Sequence, residues 1–193
     1  GFFMATRQLT DAPRRAGSRD PEGTKASILA AATREFMDKG FGGARIDAIA
    51  NSAKINKRML YHYFGGKEAL YVAVLEHTYG GIRAAEAELD LAHRDPEEAL
   101  RELVLFTFRY FVDHPEFLSL LGTENLMRAK FLKRSARIVA VNSPLIDELR
   151  DVLARGGSLS LLARYLLFKL PAAAAPGLPL ALLFAALLAM TRL

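Results

Sequence analysis

The chain of 193 residues carries 26 Lys and Arg against 21 Asp and Glu, a net charge of +5, and no cysteine. The lack of cysteine excludes disulfides, thiolate metal sites and a cysteine nucleophile, and it suits a reducing compartment, so a cytoplasmic location is expected. The first 70 residues hold 12 basic and 7 acidic side chains while the rest balance at 14 of each, the electrostatic footprint of a nucleic-acid-binding module joined to a neutral body.

Residues 5–20 are polar, Arg-rich and aperiodic, and Gly1-Phe2-Phe3 ahead of them is too short an apolar run for a signal peptide. They read as a flexible arm, either one that reaches along a DNA groove or a plain disordered terminus. Asp20-Pro21-Glu22 is a helix start, with a capping aspartate, proline at the first helical position and an early acid. Ile28, Ala32 and Phe36 recur every four residues and define one apolar face, and Lys39-Gly40 ends the helix with a glycine suited to the left-handed cap. A short helix is predicted over 46–53, with Ile46, Ile49, Ala50 and Ala53 inward. After a turn at Lys54-Ile55, Asn56 caps a third helix over 57–63. Gly65-Gly66 breaks it, and a long helix opens at Lys67-Glu68 and runs to about 91, weakened by Gly80-Gly81.

Asp95-Pro96-Glu97-Glu98 repeats the start signal for a helix ending near His114-Pro115. Further helices are predicted over 116–121 and 124–140, and another begins at Ser143-Pro144 and ends at Gly156-Gly157. From residue 158 the composition changes: Leu and Ala dominate, no acid occurs, and prolines interrupt at 171, 176 and 179. The run Leu180–Met190 falls short of the ~20 apolar residues that span a bilayer. No strand-like alternation occurs anywhere. The expected fold is all-α, with a helix-turn-helix domain over 21–70 and a helical domain over 71–193, of which 158–193 is an atypical apolar tail.

The chemistry concentrates in residues 24–70. Two short helices separated by a tight turn form a helix-turn-helix pattern, whose second helix presents its N-terminal side chains to base edges in the major groove. Here those side chains are Asn56, Lys57 and Arg58. Lys and Arg donate to guanine, and Asn can bond adenine. No Gly-rich phosphate loop, serine nucleophile elbow or HExxH occurs, so no catalytic residue is assigned. His77, His93 and His114 lack metal-ligand spacing with carboxylates, and neither a metal nor a cofactor is expected.

This segment resembles the DNA-binding domain of the TetR family. The resemblance rests on Ile28-Leu29-Ala30-Ala31-Ala32, Phe36, Gly40-Phe41, Ile49-Ala50, Ala53, Leu60-Tyr61-His62-Tyr63-Phe64 and Lys67-Glu68-Ala69-Leu70, in order and at the right spacing. It implies a transcriptional regulator, a ligand-released repressor binding an inverted-repeat operator in double-stranded DNA as a homodimer. Asn56, Lys57, Arg58 and Met59 would read bases. Arg45, Lys54, Tyr61, Tyr63 and Lys67 would hold phosphates, and His62, between the tyrosines, is grouped with them although its direction is open. The chain departs from the family pattern at Lys54, where the turn often has glycine, and at Ala44, where the family often has Thr or Ser before the second helix, so that a cap or a phosphate contact is missing.

By the same resemblance, residues 71–193 would bind a small-molecule effector and dimerise. Phe106, Tyr110, Phe111 and Phe131 are candidates for an effector pocket, against the plainer assignment to core. Lys130, Arg134 and Arg137 form a basic stripe, either a solvated face or a site for an anionic effector or an acidic partner. The tail at 158–193 is open to three readings: a very apolar dimer interface, a frameshifted end, or a membrane-associating segment. The last is the alternative to a soluble regulator without membrane contact, and an enzyme is the remaining rival.

Overall fold

The computed structural model describes residues 20–155. The arm over 1–19 and the apolar tail over 158–193 lie outside the described residues, and so do the expectations attached to them. All regular structure among the described residues is helical: α1 (Pro21–Gly43), α2 (Ile46–Ser52), α3 (Lys57–Phe64), α4 (Lys67–Ala87), α5 (Pro96–Asp113), α6 (Pro115–Leu126) and α7 (Ala136–Arg155), with 3-10 turns at Leu91–His93 and Leu132–Arg134. No helix among the described residues is long and apolar enough to cross a membrane.

The local start signals act as their chemistry dictates. Asp20 accepts the Glu22 N–H at 3.1 Å and Asp95 accepts the Glu97 N–H at 3.0 Å, each just ahead of a proline at the start of the helix. These caps satisfy amides that have no partner within the helix. Ile28, Ala31, Ala32 and Phe36 form the buried face of α1. Gly40 adopts φ 63° and ψ 178°, a conformation essentially restricted to glycine. The chain does not stop there, as a left-handed cap would imply, but makes one more helical turn to Gly43. That turn brings the Phe41 ring to 5.0 Å from Tyr71 and 4.6 Å from Phe131.

α4 is the spine, packing on α1 and α3 in the head and on α5, α6 and α7 in the body. Leu70, Tyr71, Val74, Leu75, Tyr79 and Ile82 are all buried along it. Its predicted weak point at Gly80-Gly81 stays helical. At Gly81 a Cβ would come within 3.1 Å of the Tyr110 hydroxyl, so the missing side chain lets α5 approach. The head and body also meet where the Ser119 hydroxyl of α6 donates to the Met37 carbonyl at 2.8 Å.

The body corrects three helix boundaries. α4 ends at Ala87 rather than 91, because Asp90 turns left-handed (φ 48°) and a 3-10 turn follows. The expected helix over 124–140 is two pieces, since Arg128 and Ala129 both take positive φ and break it. The expected start at Ser143-Pro144 is instead the interior of α7. Proline inside a helix costs ~3 kcal/mol through its lost hydrogen bond and ring clash. Burial of Ile138, Leu145, Leu149 and Val152 on either side of Pro144 offsets that cost.

Candidate nucleic-acid interface

α2 and α3 position the expected contact residues. α2 turns Ile49 and Ala50 into the core, and α3 turns in Leu60. The turn between them holds Lys54 at φ 54°, in the left-handed region where a residue with a Cβ is strained. Lys54 is nevertheless exposed and can reach outward. The residue in the N-cap position of α2 is Arg45, which makes no side-chain cap, and Ala44 before it is buried. Instead the Arg45 N–H donates to the Glu35 carboxylate at 3.1 Å. Lys39 also binds Glu35, at 2.9 Å, and this pairing holds the carboxyl below its ordinary range. Arg45 precedes α2 with its side chain exposed.

On α3, Asn56, Lys57, Arg58, Tyr61 and His62 are exposed, Met59 and Tyr63 are half-buried, and Leu60 is completely buried. An eight-residue helix with one buried side chain is held by little apolar area, and its outer surface is free for a partner. The Asn56 side chain accepts the Met59 N–H at 2.8 Å, so its oxygen is committed to the cap. A bidentate adenine contact needs that oxygen as well as the amide N–H. In this geometry the Asn56 amide N–H is the group left to point outward, beside the exposed Lys57 and Arg58. His62 is exposed, and its ring lies edge-on to Tyr63, centroids 5.5 Å apart.

Asp47 was not marked by the sequence pattern. It sits in the first turn of α2 and binds the Lys57 ammonium at 2.9 Å, with both side chains about half exposed. The pairing lowers the pKa of Asp47 and raises that of Lys57, chiefly through this hydrogen bond. The carboxylate thus occupies the Lys57 ammonium and adds negative charge to the exposed face that α2 and α3 share. Asp47→Asn is expected to tighten DNA binding about 3- to 10-fold and to leave thermal stability nearly unchanged, since exposed pairs contribute little. Fluorescence anisotropy with wild type and variant on one labelled duplex checks this, and weaker binding by the variant would rule it out.

Lys67 opens α4, where helix N-terminal amides favour anions. Its ammonium donates to the Gly42 carbonyl at 3.3 Å and lies 5.0 Å from the Phe41 ring centroid, so it also ties α4 to the end of α1. Electrostatics sharpen the picture of the head. Residues 1–19 hold four arginines and one aspartate, whereas residues 20–70 hold eight Lys and Arg and six Asp and Glu. Most of the surplus therefore precedes α1, and within the described head arrangement matters more than net charge.

Of the candidate pocket residues, Phe106 and Tyr110 meet with ring centroids 5.7 Å apart, and Tyr110 and Phe111 both pack on Phe117, whereas Phe131 lies apart from them. Phe106, Tyr110 and Phe111 lie along α5, with Phe111 stacked on Phe117 at 5.4 Å and Tyr110 stacked on His114 at 4.1 Å. Phe131 is fully buried elsewhere, against Phe41 and Tyr71 where head meets body. The basic stripe is partly paired: Lys130 and Arg134 approach Glu68 at 3.8 and 3.4 Å, and Arg137 approaches Glu76 at 3.9 Å.

Comparison with known proteins places this arrangement. Residues 28–74 match the model for bacterial regulatory proteins of the tetR family, and residues 96–164 match that for the tetracyclin repressor-like C-terminal domain. The chain belongs to the TetR family. It is 45% identical to the HTH-type transcriptional repressor NicS of Pseudomonas putida over 133 residues, which cover 69% of this chain and 63% of NicS. It is 40% identical to the HTH-type transcriptional repressor SCO4008 of Streptomyces coelicolor, over 56% of this chain and 53% of that one. The chain thus spans rather more than half the length of these relatives. Among solved structures, the crystal structure of HlyIIR, a hemolysin II transcriptional regulator, superposes with a TM-score of 0.53 at 26% identity, over 77% of this chain and 83% of that one. TetR proteins are regulators rather than enzymes, which removes the enzyme alternative.

Proposed function

We propose that this TetR-family chain is a DNA-binding transcriptional repressor that sits on an inverted-repeat operator as a homodimer and is released by a small-molecule effector. The observation that carries the DNA reading is α3 itself: Leu60 is its one buried side chain, and Lys57, Arg58, Tyr61 and His62 all face outward. In the bound state Lys57 and Arg58, with Asn56 and Met59 beside them, meet base edges. Arg45, Lys54, Tyr61, His62, Tyr63 and Lys67 hold the flanking phosphates and set the register. The names of NicS and SCO4008 as repressors support the direction of control. Release requires an effector that prefers the arrangement in which the heads cannot dock.

Selection of duplexes from a random pool by the purified chain tests the proposal. The expected product is an inverted repeat with half-site centres about one helical turn, ~34 Å, or a multiple of it apart. Recovery of no common sequence rejects specific operator binding, and a single unrepeated half-site rejects the dimer.

A further inference from the structure

The segment between α6 and α7 presents a second cationic surface. From Arg128 to Arg137 the chain carries Arg128, Lys130, Lys133, Arg134 and Arg137 with no acid, and all five side chains are exposed. The backbone beneath them is unusual. Arg128 and Ala129 adopt φ 56° and 57° in succession, a left-handed conformation that strains residues with a Cβ.

The strain is held by a buried carboxylate. Glu124 is completely buried, and its Oε2 accepts the Phe131 and Leu132 N–H groups, both at 3.1 Å. The Glu124 carbonyl accepts the Ala129 N–H at 2.7 Å. Phe131 and Leu132 are buried as apolar anchors. The loop is therefore pinned from inside, and its neighbouring cations are turned out.

Its position adjoins the proposed DNA-binding edge. Phe131 packs at 4.6 Å on Phe41, the ring that carries the Lys67 ammonium, and the Lys130 ammonium lies 4.8 Å from the Phe131 centroid. Lys67 and Lys130 thus lie over adjoining rings of one pair. Lys130 and Arg134 reach the same acid, Glu68, next to Lys67 in the chain. These pairs are long and more than half exposed, so they exchange readily for phosphate.

We propose that this loop is a second DNA-contacting element, in which Lys130, Lys133 and Arg134 engage backbone phosphates next to those held by α3 and the start of α4. It adds affinity and salt dependence without base preference. The inference rests on the DNA-binding reading of the head.

The test is the triple variant Lys130→Gln, Lys133→Gln, Arg134→Gln in the full chain, titrated by anisotropy onto the selected duplex at several salt concentrations. The expected result is a slope of log affinity against log salt shallower by about 2–3, since each phosphate contact contributes ~0.9. Affinity should fall roughly tenfold or more at 0.15 M salt, with the base preference of the selected sequence retained. The matching Lys130→Arg, Lys133→Arg variant should keep the wild-type slope. An unchanged slope in the triple variant, with wild-type binding intact, overturns the proposal and leaves the head's role standing; it would turn the stripe towards an acidic protein partner. Absence of wild-type binding to any duplex overturns the DNA reading itself.

Discussion

Arg58→Ala relaxes base preference at one position of each half-site and weakens binding to the best sequence by about 1–3 kcal/mol per contact, roughly 5- to 150-fold. The effect is large because Arg58 is exposed near the start of α3, while Asn56 has its oxygen in the helix cap and Lys57 is held by Asp47. Lys67→Ala has a different signature. It lowers affinity for operator and random DNA alike and reduces the salt slope by ~1, as loss of a phosphate contact must. Lys67 also binds the Gly42 carbonyl, so some thermal destabilisation accompanies it. Competition binding against duplexes altered one base pair at a time separates the two. If both variants bind operator and random DNA as the wild type does, the assignment of α3 and the α4 start as the DNA interface is wrong.

Glu86→Leu unfolds the chain more easily by roughly 3–5 kcal/mol at pH 7.5, and adding Arg83→Met recovers most or all of that loss. The two residues pair directly on α4 with both side chains buried. Removing the acid alone leaves a buried guanidinium whose Nε has no partner even now. Removing both leaves apolar surface in an apolar setting, and such replacements are neutral to stabilising. Burial is the main cause that pushes the Glu86 carboxyl up, to about 7, against a lowering by Arg83, and it pushes the Arg83 guanidinium down. The folded chain therefore keeps a proton on Glu86 that the unfolded chain releases near the ordinary 4.5. That contribution to stability is complete below the unfolded value and is lost as pH rises through about 7. The slope reaches at most ~1.4 kcal/mol per pH unit for one proton. Urea denaturation between pH 4.5 and 8 should show it in the wild type and not in the double variant. A single-variant cost below ~1 kcal/mol would mean that the pair is not buried as described.

The head was legible from sequence because its signals are local. Caps at Asp20 and Asn56, the four-residue spacing of Ile28, Ala32 and Phe36, and the break at Gly65 each act over a few residues of chain. The body was less legible. Pro144 is a strong local stop, yet α7 passes through it because buried residues on both sides pack against remote helices. The break at Arg128-Ala129 has no glycine to announce it, and it exists because Glu124 holds the loop from within.

The candidate site divides in the same way. The residue types at 56–58 and their place at a helix start follow from the sequence, as does membership of an all-helical class. Only the tertiary structure decided that Asp47 holds Lys57, that Lys67 ties α4 to α1, that Phe131 belongs to the joint and not to a group with the α5 aromatics, and that the basic stripe lies beside the head. A hydrogen bond within one turn is fixed by neighbours that the sequence already lists in order. A contact between Phe41 and Phe131, or between Glu68 and Arg134, depends on how whole helices pack, and that packing is set by the sum of buried surface rather than by any short motif.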